Sequence, residues 1–151
     1  MKVIYIAGPF RGPNHWAIAE NIRNAERAAL EVWRMGAAAI CPHANTAHFQ
    51  DAAPDYVWLK GDLEILRRCD GILMLPTYKE SHGAKAEMQE ALTLGMPVFF
   101  DHAQLKDWLD SLRDKPWLAK VLKDAREARE ARERDSFFVT KPMRFGDSPG
   151  C

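Results

Sequence analysis

Two carboxylates stand at positions where a carboxylate needs a reason. Asp62 has Trp58 and Leu59 one helical turn before it and Ile65 and Leu66 one turn after it, and side chains three and four residues apart share a helix face. An acid on an apolar stripe is disfavoured as an anion, so its pKa rises, the condition of a general acid or a hydrogen-bonded site carboxylate. The plain alternative is an aspartate at the edge of the stripe, reaching water. The second carboxylate, Glu87, lies one turn inside a helix expected to begin at Ser81-His82-Gly83-Ala84. Backbone N–H groups at such a helix start form a cradle for a phosphate or another anion. Ser81 can cap the helix or donate to a ligand, Gly83 leaves room for close approach, and Glu90 reads as a solvated or structural partner. A third group comes from Gly8-Pro9-Phe10-Arg11-Gly12, where Arg11 suits a phosphate and Phe10 or Tyr5 suits stacking on a base.

The elements that must position these residues alternate. Val3 to Ala7 reads as a buried parallel strand ended by Gly8-Pro9. A helix follows from Asn14 as N-cap, with apolar residues at Ile18, Ile22, Ala25, Ala29 and Val32 and with Gly36 at its C-terminal end. Ala37 to Cys41 is a second strand stopped by Pro42, and His43 to Pro54 has loop character. Asp55 caps a second helix running to about Arg68. Gly71 to Leu75 is a third strand, Ser81 to Leu94 a third helix closed by Gly95, and Pro97 to Phe100 a fourth strand. The alternation predicts an α/β, doubly wound, flavodoxin-like parallel sheet of order 2-1-3-4 with helices on both faces. Its switch point lies between the first and third strands, so loops 8–13 and 76–83 should face each other across a ligand crevice.

Beyond Asp101 the character changes. Residues 103–112 and 117–133 read as helical, the latter as a charged, solvated helix, and the tail returns to apolar side chains at Phe137, Phe138 and Phe145. That tail is expected to contact a second subunit, with a fifth strand over 136–140 as the alternative, so a homodimer or higher homo-oligomer is anticipated. A chain of 151 residues suits one domain over 1–151, with 102–151 as an extension. Lys+Arg and Asp+Glu both number 21, which argues against a nucleic-acid polymer or a membrane as partner. Cys41, Cys69 and Cys151 are an odd set, widely spaced, that suits reduced thiols in a cytoplasm better than disulfides. No cofactor is expected, and a metal site from Cys41, His43 and His48 is the weaker reading because zinc spacing is missing; the two histidines are expected to line the loop over the crevice or to be exposed.

Taken together, IYIAGPFRG, GDLEILRRCDGILML and SHGAKAEMQEALTLG resemble the nucleoside 2-deoxyribosyltransferase superfamily, including the 2′-deoxynucleoside 5′-monophosphate N-hydrolases and related uncharacterised phage and bacterial proteins. The resemblance covers residues 1–100. It implies cleavage of an N-glycosidic bond, or deoxyribosyl transfer, on a nucleoside or nucleoside 5′-monophosphate. Glu87 matches the family's nucleophile, which forms a glycosyl ester, and Asp62 matches the aspartate that assists the departing base or contacts the sugar. Ser81, with Gly8, Arg11 and Gly12, matches positions used around a phosphate. Two carboxylates suffice for such chemistry, one capturing an oxocarbenium-like centre and one protonating the leaving group. The helix start near Glu87 is expected to keep it ionised, and the apolar setting of Asp62 to raise its pKa. A non-catalytic nucleotide-binding sensor or adaptor on the same fold is the alternative, although two carboxylates offer little to a pure binder of anions.

Overall fold

In a computed structural model, the structure describes residues 1–49, 52–113, 120, 123, 124, 126–128, 130 and 131. The chain divides into two compact units, Met1–Leu109 and Asp110–Cys151. In the second, described residues between 120 and 131 are helical and carry exposed ion pairs one turn apart, Lys123–Glu127 at 3.8 Å and Arg126–Glu130 at 2.9 Å. The apolar tail with Phe137, Phe138 and Phe145, and the alternative fifth strand over 136–140, lie outside the described residues.

The first unit is built on β1 (Val3–Ala7), β2 (Ala38–Ile40), β3 (Gly71–Met74) and β4 (Val98–Phe99), all parallel, in the order β2-β1-β3-β4. This is the doubly wound α/β sheet that the alternation predicts. Between the strands run α1 (His15–Arg34), α2 (Pro42–Asn45), α3 (Asp55–Leu66) and α4 (His82–Thr93), and α5 (His102–Arg113) follows β4. Asn14 caps α1 by accepting from the Ala17 amide at 2.9 Å. Gly36 beyond its end has φ 82 and Gly95 beyond α4 has φ 66, backbone states in which a Cβ is unfavourable.

β1 is the central element, and its side chains alternate between two cores. Ile4 and Ile6 join Ala25, Ala29 and Val32 of α1 and Leu105 and Leu109 of α5 on one face. Tyr5 and Ala7 join Leu66, Ala84 and Ala91 of α3 and α4 on the other. The strand is buried on both faces, so its sequence shows no alternation of polarity. Two differences from the sequence reading have simple causes. The stretch after Pro42 holds α2, four residues long, too short to show a period. Asp55 opens α3 as its first residue behind Pro54.

The end of β1 explains one glycine. A Cβ at Gly8 would lie 2.5 Å from Leu75 Cδ1 and 2.9 Å from its Cβ and Cγ, because the Leu75 N–H donates a hydrogen bond to the Ala7 carbonyl at 2.8 Å and draws that residue alongside. Gly8→Ala should therefore lower unfolding free energy by about 1–3 kcal/mol. Combining it with Leu75→Ala should cost less than the sum of the two changes in urea unfolding, since the second removes the clash.

Candidate active site

At the carboxyl edge of the sheet the β1–α1 loop, α2, α3 and the start of α4 enclose a pocket of about 380 Å³, within the range of small-molecule sites. It lies between the first and third strands, where the switch-point argument places it. Asp62, Ala84 and Glu87 contribute to its lining, with Trp58 and Leu59 of α3 on one side, Gly8 to Arg11 on another, and Glu80 to Gly83 at the start of α4. The apolar stripe around Asp62 is thus partly pocket wall, which is why Leu59 remains 46% exposed.

Glu87 is the most constrained group here. Its carboxylate is buried and accepts a hydrogen bond from the Tyr5 hydroxyl at 2.6 Å. Burial pushes its pKa up to about 7, with the Tyr5 hydrogen bond opposing and the nearby Asp62 charge adding. The expectation that the helix start keeps Glu87 ionised is corrected: Glu87 is the sixth residue of α4, beyond the first turn where the helix dipole acts, and desolvation wins. Asp62 is half-buried, and desolvation raises it to about 6. Burial thus raises both carboxyls toward neutrality.

Tyr5 is also corrected. It is fully buried in the core and is absent from the pocket lining, so it offers no ring face to a base. Its role is to hold Glu87, and burial with two neighbouring carboxylates drives its own pKa far up, keeping the hydroxyl a donor. Gly12 likewise stands apart from the lining; a Cβ there would meet the Ala17 Cβ at 2.7 Å, so close packing on α1 accounts for it. Gly83 differs, because an added Cβ would meet only ordinary contacts at 3.5 and 3.8 Å, and nothing in the chain's own packing demands glycine. Ser81 caps α4, its Oγ accepting from the Ala84 amide at 3.1 Å. Glu90 pairs with Arg67 of the α3 end at 2.7 Å.

Asn21 and Asp55 escape the sequence reading of the site, and His43, expected either in the loop over the crevice or exposed, lines the pocket. His43 is buried, and its Nε2 lies 3.2 Å from both the Gly8 and Pro9 carbonyls. Because carbonyls only accept, Nε2 carries the proton, and burial lowers the imidazole pKa against the pull of those two acceptors. Asn21 Nδ2 donates to the Phe10 and Arg11 carbonyls at 3.3 and 3.0 Å. Asp55, at the start of α3, forms an ion pair with Arg11. Aromatic pairs flank the space: Phe10 with His43 at 6.1 Å and Phe49 with Trp58 at 5.6 Å between ring centroids. Cys41 and His43 are buried while His48 is exposed, and no three His, Cys, Asp or Glu side chains among the described residues are grouped to hold a metal. No helix among those residues is long and apolar enough to cross a membrane.

The profile of a family described as a domain of unknown function, DUF4406, matches residues 2–100, and the chain belongs to that family. Among curated proteins none matches. A solved structure of a 2-deoxyribosyltransferase from the psychrotolerant bacterium Bacillus psychrosaccharolyticus is 22% identical, with a TM-score of 0.50 over 64% of this chain and 69% of that one. That enzyme is described as a biocatalyst for the synthesis of antiviral and antitumoral nucleosides. At this identity the likeness establishes a shared fold.

The buried carboxyl carries a stability signature. The folded-state pKa of Glu87, about 7, lies above the ordinary 4.5, so the folded chain retains a proton that the unfolded chain releases. Stability is at its fullest below about pH 4.5 and is lost as pH rises through about 7, by up to about 3 kcal/mol from this group. Glu87→Gln, which keeps an acceptor for Tyr5, should flatten that decline and unfold at higher urea than the parent at pH 8. An unchanged pH dependence would contradict the burial argument.

Proposed function

We propose that the chain cleaves the N-glycosidic bond of a 2′-deoxynucleoside or its 5′-monophosphate, or transfers the deoxyribosyl group, through a glycosyl ester on Glu87. The observation that carries this reading is the buried Glu87 carboxylate, held by the Tyr5 hydroxyl at 2.6 Å in a pocket also lined by Asp62. The shared fold with a 2-deoxyribosyltransferase supports it, as does the family resemblance, which implies a nucleophile at Glu87 and an assisting aspartate at Asp62.

Glu87 attacks C1′ of the sugar while the C1′–N bond breaks. The departing base keeps the bonding electron pair and takes a proton from the Asp62 carboxyl. Water, or the ring nitrogen of a second base, then attacks C1′, its proton passes to Asp62, and Glu87 leaves as carboxylate. The reactive state holds one proton on the pair. Burial raises both carboxyls toward neutrality, to about 7 at Glu87 and about 6 at Asp62, so a singly protonated pair is available near neutral pH. Positive charge developing on the sugar favours ionised Glu87 as reaction proceeds. Phe10, Phe49 and Trp58 supply apolar faces for a base.

Homo-oligomeric assembly belongs to the same reading. Trp16, Leu30 and Trp33 of α1 are 73%, 50% and 53% exposed, apolar area suited to a subunit contact, which light scattering tests.

The purified protein incubated with deoxynucleosides and their monophosphates should release free base, with kcat/KM highest between about pH 6 and 7. Glu87→Gln should reduce turnover by at least about 1,000-fold without loss of the folded state. Release of base at parental rates by that variant would remove Glu87 from the reaction.

A further inference from the structure

The loop that carries Arg11 is tied at four successive carbonyls. His43 holds those of Gly8 and Pro9, both at 3.2 Å, and Asn21 holds those of Phe10 and Arg11 at 3.3 and 3.0 Å. The backbone from which Arg11 projects is therefore anchored from both α1 and α2, and the guanidinium is joined to the Asp55 carboxylate of α3. Arg11 is the one arginine or lysine among the described pocket-lining residues, against the carboxyls of Asp55, Asp62, Glu80 and Glu87. A phosphate dianion entering here has to compete with Asp55 for Arg11 and sit in a field dominated by acids. The first turn of α4 favours an anion, but its Ala84 amide is already taken by Ser81 Oγ. An uncharged nucleoside meets no such opposition.

We infer that Asp55 is a specificity-determining residue: by keeping a negative charge beside Arg11 it makes the pocket select a nucleoside over the corresponding 5′-monophosphate. This rests on the nucleoside chemistry proposed above and narrows it to the uncharged substrate. Because the Arg11–Asp55 pair is exposed on both sides, at 65% and 60%, the pair itself is weak. The discrimination comes from the charge that Asp55 keeps beside the one guanidinium among the described pocket-lining residues, and it is sensitive to salt.

The test is calorimetric binding at pH 8, using deoxyadenosine, deoxyguanosine, deoxycytidine and thymidine, each beside its 5′-monophosphate. The Glu87→Gln background prevents cleavage during the titration. For the bases that bind, the nucleoside should bind about tenfold tighter than its monophosphate, and the ratio should narrow at about 0.5 M salt. Asp55→Asn should shift the ratio toward the monophosphate by about fivefold or more, and adding Arg11→Gln should cancel that gain. Asp55 is exposed and Asn also suits a helix start, so the variant should keep the parental melting temperature. A monophosphate preferred by the parent, or a ratio unmoved by Asp55→Asn, overturns the role of Asp55 and leaves the nucleoside chemistry standing. Failure of every probe to bind overturns the nucleoside reading, and this inference with it.

Discussion

The hydrogen bond from Tyr5 to Glu87 joins the core of the fold to the floor of its pocket. Tyr5 is in the middle of the central strand, packed among Leu66, Ile72 and Ala91, and its hydroxyl is the polar end of an otherwise apolar side chain. A buried tyrosine needs an acceptor, and a buried carboxylate needs a donor; each satisfies the other at 2.6 Å. The sheet therefore fixes the position of one carboxylate oxygen to within the tolerance of a packed core, while the raised pKa is a consequence of the same burial. Desolvation of this kind destabilises the ionised fold and makes the group reactive, the usual opposition between stability and function at a site.

Around this anchor the mouth of the pocket is held by contacts of a different kind. His43 and Asn21 use neutral hydrogen bonds to fix the backbone of the β1–α1 loop, and the Arg11–Asp55 ion pair links that loop to α3. The floor is rigid because it is core; the rim is ordered by side chains that reach across from α1, α2 and α3. In the proposed reaction, substrate selection and bond cleavage fall to separate layers, one exposed and salt-sensitive, the other buried.

Much of this was legible in the residues. Strand runs ended by Gly-Pro or Pro, the Asn14 cap and the glycines at 36 and 95 define the alternating elements and with them the doubly wound class, of which 2-1-3-4 is one common strand order. Asp62 stands out because an acid interrupts an apolar stripe, and Glu87 because it follows a capped, small-residue helix start. What was not legible depends on tertiary placement. In a strand buried on both faces, nothing in the sequence says that Tyr5 shares a side with Glu87. The four-residue α2 has no period to read, and the carbonyls held by His43 and Asn21 are 34 and 35 residues, and 10 and 11 residues, from their partners in the chain. Desolvation of Glu87 outweighs the helix dipole only once its depth in α4 is known, and Gly12 mimics a ligand-loop glycine while serving the contact with Ala17.

The central claim is covalent: a sugar carbon bonded to Glu87. Rapid acid quenching of the protein during incubation with the deoxynucleoside panel, followed by peptide mass spectrometry, tests it directly. The account predicts one added deoxyribosyl group on the peptide containing Glu87, lost in Glu87→Gln. Release of free base with no adduct on the quenched protein, or an adduct on a different residue, would contradict it.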